Sequence, residues 1–534
     1  MLNRIILLSG PISSGKSTLA KGLAQRYGMS IFKTNEVLKK LVKKDIAQDR
    51  KALQIEGERL DKKTQGSWVL QALMERSSEF LLTSDCIVDS VRIVEQIQTI
   101  REAFGVRVIH VHLTAPLKEL ELRFNNRRKH GRDTGFQYSE IMSDPTENLI
   151  EKLAEIADVV INTKRSTEQD VLIRTMSFLD IRGGKGSGFV DVIVGGQFGS
   201  EGKGQIVAHI AKEYQMLIRV GGPNAGHSVF EVPEPYAHHQ LPSGTRNSEA
   251  RLIIGPGAVL RVDKLLKEIA DCGVDSQRLR IDGNSMVISD DDILKEADLK
   301  KSIGSTGQGV GAATSRRIMG RSNKNTLLAK NIPELKPFIG DTLALLEDAY
   351  SKNEKVLLEG TQGTGLSLYH GYYPYVTSRD TTASGCLAEA GIPPNRVRKV
   401  IMVCRTYPIR VQSPEDETSG PLRDISWEEI ARRSGLKADK LRAAEKTTTT
   451  KRQRRIGEFD WDILHRAALL NGATDIALTF TDYIRKENGE AKRFEQLTKE
   501  TINFIQEVER VSGAPVSLIS TGFNSRSIID RRSC

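Results

Sequence analysis

Continuous apolar runs, rather than alternating ones, recur along the chain and predict strands that are buried on both faces of a parallel sheet. In the first third these runs lie at residues 4–9, 86–88, 106–111 and 158–161. Helical patterns fall between them, including residues 18–27 and 117–128. Strands that alternate with helices indicate a parallel sheet with crossover helices.

A glycine-rich stretch, IRGGKGSG at 181–188, separates this pattern from a second one. Such composition is typical of a flexible linker. Apolar runs then resume at 190–194, 252–254, 355–358, 399–403 and 475–479. The sequence therefore predicts two α/β domains, at residues 1–180 and 189–534, each built on a mostly parallel sheet.

Composition narrows the function. The chain has 534 residues, of which 39% are hydrophobic and 27% charged, so a sizeable core is available. No run of eighteen apolar residues and no signal-peptide cleavage pattern occurs, so we expect no membrane span and no secretion. The five cysteines are scattered, which disfavours a disulfide scaffold or a cysteine-based zinc site and favours the cytoplasm.

The formal net charge of +10 is compatible with nucleic acid or with small phosphate-rich substrates. Aromatic residues make up only 5% of the chain, and no aromatic RNA-binding motif occurs. We therefore expect small anionic ligands rather than a nucleic acid.

The first apolar run leads into GPISSGKS at 10–17, which fits the phosphate-binding pattern G-x-x-x-x-G-K-[ST]. Its backbone N–H groups would face a phosphate, Lys16 would neutralise the phosphate oxygens, and the Ser17 hydroxyl would bind Mg²⁺. A strand before it and a helix after it, at 18–25, give the expected context. The candidate phosphate-loop residues are Gly10, Ser13, Ser14, Gly15, Lys16, Ser17 and Thr18.

Three charged residues extend this candidate site. Asp89 ends the strand at 86–88 and is a candidate base or indirect metal ligand, while Arg92 and Arg127 suit bidentate phosphate contacts. The order of these parts, ending in ADVVINT at 157–163, resembles the nucleoside-monophosphate kinases. The resemblance implies ATP as phosphoryl donor and leaves the acceptor open.

The second domain opens with another glycine-rich loop, GGQFGSEGKG at 195–204, between the strand at 190–194 and a helix predicted at 205–213. This order again favours a phosphate cradle. RVGGPNAGHS follows at 219–228 and places His227 in a flexible loop, where proton transfer or phosphate stabilisation is the better interpretation.

These two segments resemble the adenylosuccinate synthetase family, and further motifs follow in the family's order. They are LPSG at 241–244, IGSTGQGVG at 303–311, EGTQGT at 359–364, YPYVTS at 373–378, TTKRQRRIG at 449–457 and ISTG at 519–522. In this family a nucleoside triphosphate phosphorylates O6 of a 6-oxopurine nucleotide, and L-aspartate then displaces the phosphate. The resemblance implies a homodimer formed through the ligase domain, Mg²⁺, and ATP, dATP or GTP as donor.

Residue roles carry over by position. The catalytic set implied is His227, Ser200, Lys203 and Gln362, with His227 as acid and with position 200 and the Gly226 carbonyl as Mg²⁺ ligands. The nucleotide-binding positions implied are Gly199, Glu201, Gly202, Lys203, Gly204, Asn224, Ala225, Gly226, Thr306, Gln362, Thr377, Asp482, Ser520 and Gly522. The aspartate-binding positions implied are Thr449, Thr450, Arg452 and Arg454.

Position 200 departs from the family, which places its general base, an aspartate, there. A serine hydroxyl cannot accept the purine N1 proton as a carboxylate does. Three interpretations stay open: an inactive domain, the IMP reaction with another base, or a different substrate. A viral variant of the family, 2-aminoadenylosuccinate synthase, carries the same serine and acts on dGMP, and the chain resembles that variant most.

Two further departures concern the donor and the dimer. TFTD at 479–482 replaces the family's TKLD, so Asp482 remains to read the donor base, but GTP specificity is in doubt because the lysine is absent. The family's arginine that reaches the partner subunit corresponds to Arg317 or Arg321.

The leading hypothesis is a ligase fused to a nucleotide kinase; the alternatives are an IMP-specific synthetase and a non-catalytic nucleotide sensor.

Overall fold

The computed structural model describes residues 4–41, 50–76, 85–129, 137–142, 145–164, 166–179, 188–230, 234–322, 326–411, 420–445, 454–523 and 527–532. The chain divides into two compact units, Met1–Arg182 and Gly183–Cys534, which we call the N-terminal and C-terminal units. Of the predicted linker at 181–188, only Gly188 lies among the described residues. No helix in the described ranges has both the length and the apolar character that a membrane crossing requires.

The N-terminal unit is built on a five-stranded parallel sheet with the order β2-β3-β1-β4-β5. Its strands are β1 Ile5–Ser9, β2 Ser30–Lys33, β3 Cys86–Asp89, β4 Val108–Thr114 and β5 Val159–Asn162. Its helices are α1 Lys16–Tyr27, α2 Thr34–Leu41, α3 Arg50–Thr64, α4 Trp68–Glu75, α5 Val94–Phe104, α6 Leu117–Lys129, α7 Tyr138–Met142, α8 Pro145–Lys152 and α9 Glu168–Phe178. Because β1 lies beside β3, the loop after Ser9 and Asp89 meet at the same edge of the sheet.

The strand predicted at 106–111 begins later than expected. Residues Gly105–Arg107 form a 3₁₀ turn, and the strand runs over Val108–Thr114. Gly105 closes α5 with a φ of 57°, and the Val106 side chain is fully exposed. Val106, which the apolar run placed in the strand, therefore lies in a surface turn outside the sheet.

The C-terminal unit is built on a ten-stranded sheet with the order β14-β12-β10-β7-β15-β6-β16-β19-β20-β21. All of its neighbouring pairs are parallel except β20 with β21, so the predicted α/β class is confirmed. The strands of this sheet are β6 Val190–Gly195, β7 Met216–Arg219, β10 Arg251–Ile254, β12 Leu279–Asp282, β14 Ile339–Gly340, β15 Val356–Glu359, β16 Val397–Arg405, β19 Asp475–Thr479, β20 Val516–Ser520 and β21 Ile528–Asp530.

Smaller strand pairs and the helices complete this unit. The pairs are β8 His227–Val229 with β9 Tyr236–His238, β11 Val259–Leu260 with β13 Met286–Val287, and β17 Ile409–Val411 with β18 Arg454–Ile456. The helices are α10 Lys203–Ile210, α11 Val262–Asp271, α12 Asp290–Lys295, α13 Ala297–Ser302, α14 Val310–Met319, α15 Thr342–Ser351, α16 Ala383–Ala390, α17 Trp427–Ser434, α18 Ala438–Ala444, α19 Trp461–Asn471 and α20 Lys499–Ser512.

The strands of the large sheet are apolar on both faces because helices cover both sides. Along β6, Val192 and Val194 pack into one hydrophobic cluster, whereas Ile193 packs into the cluster on the opposite face. All three side chains are fully buried. This two-sided burial explains why the sequence shows continuous apolar runs instead of alternation.

Helix α10 begins two residues earlier than the predicted start at Gln205, and it ends at Ile210, where a 3₁₀ turn over Ala211–Glu213 follows. Gly202 caps the helix with a φ of 87°, a left-handed conformation that glycine adopts without steric cost. The glycine-rich loop therefore leads directly into the helix, and Lys203 occupies the first helical position.

A buried carboxylate on α11 holds the segment that leads towards the candidate site. Glu268 accepts hydrogen bonds from the backbone N–H groups of His239, Gln240 and Leu241. Burial raises the pKa of Glu268, and these hydrogen bonds oppose that shift. Two residues further along the chain lies Ser243, which contacts the central acid of the site described below.

We expect Glu268→Gln to loosen this segment, because the amide replaces an acceptor oxygen with a donor facing backbone N–H groups. The loss of about 1–3 kcal/mol per orphaned group corresponds to roughly ten- to a hundredfold faster amide exchange at residues 239–241. Hydrogen exchange followed by mass spectrometry measures this, with the peptide spanning 516–520 as an internal control. Unchanged exchange at 239–241 would contradict the assignment.

Candidate active site

A cleft of about 140 Å³ opens at the carboxyl ends of β6, β16, β19 and β20. Ligands of open α/β sheets bind at this edge. Ten of the sequence-predicted residues line the cleft: Gly199, Ser200, Gly202, Lys203, Gly204, Gly226, His227, Arg454, Ser520 and Gly522. Motifs that lie more than 300 residues apart in sequence are thus brought together.

An ion pair inside the loop fixes the shape of the phosphate cradle. Lys203 Nζ lies 2.7 Å from Glu201 Oε2, and both side chains are buried. Glu201 Oε1 also accepts the backbone N–H groups of Gln197 and Gly199, at 3.0 and 2.8 Å. Glu201, predicted as a nucleotide contact, therefore organises the loop from beneath the cleft.

Helix α10 packs directly against the strand that carries His227. A Cβ atom at Gly204 would lie 2.8 Å from His227 Cβ, closer than real Cβ contacts come. Only glycine allows this approach without a shift of the helix or of β8. The start of the helix and the histidine are therefore held side by side.

His227 is one of four buried polar side chains that form a hydrogen-bonded network. Its Nδ1 lies 2.5 Å from Glu359 Oε1, and Arg219 Nη1 donates to the same oxygen at 3.1 Å. The backbone N–H and the hydroxyl of Ser243 also donate to the Glu359 carboxylate. With these donors around it, Glu359 has a pKa of about 2, because the attraction of Arg219 and the hydrogen bonds outweigh burial.

This network sets the protonation state of His227. Burial, and then the positive charge of Arg219, lower its pKa to about 4 even though Glu359 opposes the shift. A neutral ring that donates from Nδ1 to Glu359 has an unprotonated Nε2. His227 Nε2 is buried and has no hydrogen-bond partner among the described residues, and the side chain lines the cleft.

Other polar atoms around the cleft lack protein partners within the described ranges. They are Gln205 Nε2, Arg405 Nε and Arg454 Nε of the cleft lining, and Asp482 Oδ1, two residues after the lining residue Phe480. Burial also raises the pKa of Asp482 to about 7. Buried polar groups are almost always satisfied in native proteins, so this set of atoms indicates a place for a polar ligand.

Arg405 and its partners were not predicted from the sequence. The fully buried Arg405 ends β16, donates to the Ser200 carbonyl at 3.2 Å and pairs with Glu445 at 2.7 Å. Its guanidinium lies 3.9 Å from the centre of the Phe480 ring, and Phe480 contacts Phe523 edge to face. A charged residue directly after a continuous apolar strand was the available signal for Arg405.

Comparison with known sequences decides the family. The adenylosuccinate synthetase profile matches residues 192–331 and 325–488, and the AAA domain profile matches residues 6–143. The adenylosuccinate synthetase of Pyrococcus sp. (strain ST700) is 40% identical over 352 residues, which cover 64% of this chain and 98% of that protein. That of Methanocaldococcus jannaschii is 41% identical over 351 residues, covering 64% and 96%.

The chain belongs to the adenylosuccinate synthetase family.

Solved structures agree with this assignment. Adenylosuccinate synthetase from Plasmodium falciparum matches with a TM-score of 0.56 at 23% identity, covering 65% of this chain and all of that one, and supports the fold. Succinoaminodeoxyadenylate synthetase (PurZ) of cyanophage S-2L, solved with dGMP and dATP, matches with a TM-score of 0.54 at 27% identity, covering 65% and 96%. The chain is therefore an adenylosuccinate synthetase-type ligase fused to a kinase-like AAA domain.

The remaining predicted residues of the synthetase-type unit are not among those that line this cleft, and three of them lie outside the described ranges. Gln362 Nε2 donates to Asn224 Oδ1 at 3.1 Å, next to Ala225, whose carbonyl accepts from Arg219. Thr306 lies in the loop before α14, and Thr377 donates its N–H to Leu366. Thr449, Thr450 and Arg452 lie outside the described residues. Arg317 donates to the Pro256 carbonyl, and the choice between Arg317 and Arg321 stays open.

The kinase-like unit has its own cleft, of about 510 Å³, beside the predicted phosphate loop. The predicted residues Gly10, Ser13, Gly15, Lys16, Ser17, Thr18, Asp89, Arg92 and Arg127 line it, while Ser14 is buried in the loop. Arg127 Nη2 donates to Ser13 Oγ at 2.9 Å. Ser17 Oγ lies 3.4 Å from Asp89 Oδ2, so a hydroxyl and a carboxylate oxygen, which suit Mg²⁺, stand together.

We expect the ring of His227 to stay neutral until the pH falls to about 4. Because this pKa lies below the ordinary value of 6.5, the unfolded chain binds the proton more readily. The stability that the neutral ring contributes is therefore complete above pH 6.5 and declines as the pH falls from 6.5 towards 4. NMR titration of the ¹⁵N-labelled rings, with His227→Asn to assign the signal, measures the midpoint. A midpoint near 6.5 would contradict the network.

Proposed function

We propose that the C-terminal unit joins L-aspartate to C6 of a 6-oxopurine 5′-monophosphate, with dGMP favoured, and that the N-terminal unit is a nucleoside-monophosphate kinase. The observation that carries the first part is the convergence of Ser200, Lys203 and His227 on one cleft, with serine where the family has aspartate. The phosphate loop and the Ser17–Asp89 pair support the second part.

Ser200 distinguishes the nucleotide. A serine in place of the aspartate removes a negative charge and part of the volume beside purine C2, which carries the amino group of guanine. The solved structure of a related enzyme with dGMP, the cyanophage synthetase, supports the same choice. Arg405 donates a hydrogen bond to the Ser200 carbonyl, and Ser200 lines the cleft.

His227 supplies a charge-assisted hydrogen bond to the phosphoryl group as it is transferred. In the absence of anions its Nε2 is unprotonated, since burial and Arg219 hold its pKa low. A bound triphosphate brings negative charge, which favours the imidazolium form. His227 then takes up a proton at Nε2 and donates a hydrogen bond to the transferred phosphoryl group, while Glu359 keeps the ring oriented through Nδ1.

The cleft keeps only some of the residues with which the family binds its metal ion and its triphosphate donor. Ser200 and the Gly226 carbonyl would hold Mg²⁺, which supplies charge neutralisation for the phosphates. Both oxygens are neutral, so phosphate oxygens would provide most of the metal's negative ligands. Phe480 and Phe523 offer an aromatic wall for the donor base, and Asp482 follows two residues after Phe480. We infer ATP or dATP rather than GTP as the phosphoryl donor, because TFTD at 479–482 lacks the lysine of the family's TKLD motif.

Arg454 is the described member of the proposed aspartate site. Its side chain lines the cleft, and its Nη1 lies 3.2 Å from Glu445. A guanidinium suits the bidentate recognition of a carboxylate. L-aspartate would therefore bind on the side of the cleft where Arg454 lies.

A second candidate is the IMP reaction with GTP. The archaeal adenylosuccinate synthetases, at 40–41% identity, are more similar in sequence than the cyanophage enzyme, at 27%. Like the reaction with dGMP, whose guanine also carries a proton at N1, this function requires a group other than Ser200 to accept that proton. A mixture of full-length protein, L-aspartate, Mg²⁺, ATP or GTP, and dGMP or IMP separates the two by phosphate release. Absence of aspartate-dependent release with every combination would reject both and favour a sensor.

We expect Ser200→Asp to shift the preference from dGMP towards IMP by about tenfold or more, equivalent to about 1.4 kcal/mol. The restored carboxylate provides a base for N1 and fills the space of the 2-amino group. The ratio of kcat/KM for dGMP and IMP measures this, and Ser200→Asn, which has similar size without the charge, is the matched control. A ratio unchanged by the aspartate would contradict the role of position 200.

We expect the two activities to be lost separately. Lys16→Met should lower nucleoside-monophosphate phosphorylation by at least roughly a hundredfold, because a phosphate-neutralising cation is lost, and should leave aspartate ligation intact. His227→Asn should do the reverse, since loss of one hydrogen-bond donor to the developing charge typically costs about 10²–10³-fold. Phosphate-transfer and ligation assays on both variants test this. Loss of both activities in either variant would contradict the assignment of one reaction to each unit.

A further inference from the structure

Three hydrogen-bonded side chains line the N-terminal cleft outside the phosphate-loop motif. Asp61 on α3 accepts a hydrogen bond from Trp68 Nε1 at 2.7 Å and another from Gln96 Nε2 at 2.8 Å. All three residues line the cleft that also contains the phosphate loop. The acid therefore has a fixed place in the same cavity as Lys16.

The orientation of the Asp61 carboxylate is determined by its partners. Gln96 is 2% exposed, and its own oxygen accepts the Arg92 backbone N–H at 2.8 Å, so its amide cannot turn over without losing both contacts. Trp68 is also buried. Both donors end on Oδ1 of Asp61, which leaves Oδ2 as the oxygen that a ligand can reach.

The surroundings suit a nucleobase. The side chains of Leu38, Leu53 and Ile150 line the cleft together with the Trp68 indole. Apolar walls with a few placed polar groups are typical of small-molecule sites. The volume of about 510 Å³ accommodates a nucleoside monophosphate that reaches from this wall to the phosphate loop.

We propose that Asp61 accepts a hydrogen bond from the exocyclic amino group of the acceptor's base, so that the kinase takes nucleoside monophosphates of amino-bearing bases. This inference rests on the proposed kinase function of the N-terminal unit. An oxygen on the acceptor's phosphate attacks the γ-phosphorus of the donor, the bond to the β-phosphate oxygen breaks, and a nucleoside diphosphate leaves. Asp61 positions the acceptor and does not take part in the transfer.

The chemistry of the bases gives the selectivity. Guanine, adenine and cytosine carry an amino group that donates to a carboxylate. Thymine, uracil and hypoxanthine present carbonyl oxygens or hydrogen at the corresponding positions and leave the buried acceptor unpaired or repelled. A site built to hydrogen-bond one substrate group rejects the analogue that lacks it, because its own polar group then stays unsatisfied.

The test measures kcat/KM of the full chain, with ATP and Mg²⁺, for dGMP, dAMP, dCMP, dIMP, dTMP and dUMP. The pair dGMP and dIMP differs only in the 2-amino group, so this pair isolates that contact if guanine is the base. We expect the kcat/KM of at least one of dGMP, dAMP and dCMP to exceed the values for dIMP, dTMP and dUMP by tenfold or more.

Asp61→Asn sharpens the test. The amide keeps an oxygen for Trp68 and Gln96 and places an NH₂ donor where Oδ2 stood, so the tenfold preference should disappear or reverse towards carbonyl-bearing bases. Glu56→Gln removes the same charge from α3 at an exposed ion pair with Arg59 and should leave the preference unchanged.

The outcomes separate the inference from the function on which it rests. Two results would overturn the base contact and leave the kinase function intact. One is phosphorylation of all six acceptors without preference. The other is an equal decline of kcat/KM for all of them in Asp61→Asn, which would indicate that Asp61 contacts a sugar hydroxyl. No phosphorylation of any acceptor by the unaltered chain would remove the kinase function itself. If Asp61→Asn does not fold, the comparison of the six acceptors with the unaltered chain still decides.

Discussion

A buried negative charge, the Glu359 carboxylate, determines how the ligase site is built. Glu359 and Arg219 end the neighbouring parallel strands β15 and β7 and are partners in register, so the ion pair lies across the sheet at its carboxyl edge. A buried charge without compensation costs several kcal/mol, which forces donors to gather around it. Ser243 and His227 are those donors, and the histidine is oriented as a result.

The two units solve the problem of phosphate binding in similar ways. In each, a buried strand leads into a glycine-rich loop, and a glycine in the left-handed region caps the helix that follows, with φ of 102° at Gly15 and 87° at Gly202. The lysines differ in their partners. Lys16 donates to the carbonyls of Gly10 and Pro11, whereas Lys203 is held by the Glu201 carboxylate. The two loops therefore offer a phosphate a similar backbone conformation, but only the second pairs its lysine with a carboxylate.

Local patterns predicted much of this structure. The β/α alternation, both phosphate loops and His227 follow from residues that are close together in the sequence, and the structure places these loops at strand ends. Arg405, Glu445 and Phe523 were missed because they reach the ligase cleft from segments that no short motif connects. The turn at Val106 was mistaken for a strand because an apolar side chain by itself does not reveal whether it is buried. Asp61 has meaning only through its contacts with Trp68 and Gln96.

Because the cations of the ligase cleft are already paired, the long-range attraction of anions and the choice among those anions depend on different parts of the chain. Lys203 is already matched by Glu201, and Arg405 by Glu445, before any substrate arrives. These charges are buried, so dissolved salt screens them little, and they add little to the long-range field. The surplus of ten positive charges elsewhere on the chain draws anions of every kind towards its surface. Choice among those anions is then left to the shape of the cleft and to the direction of its hydrogen bonds.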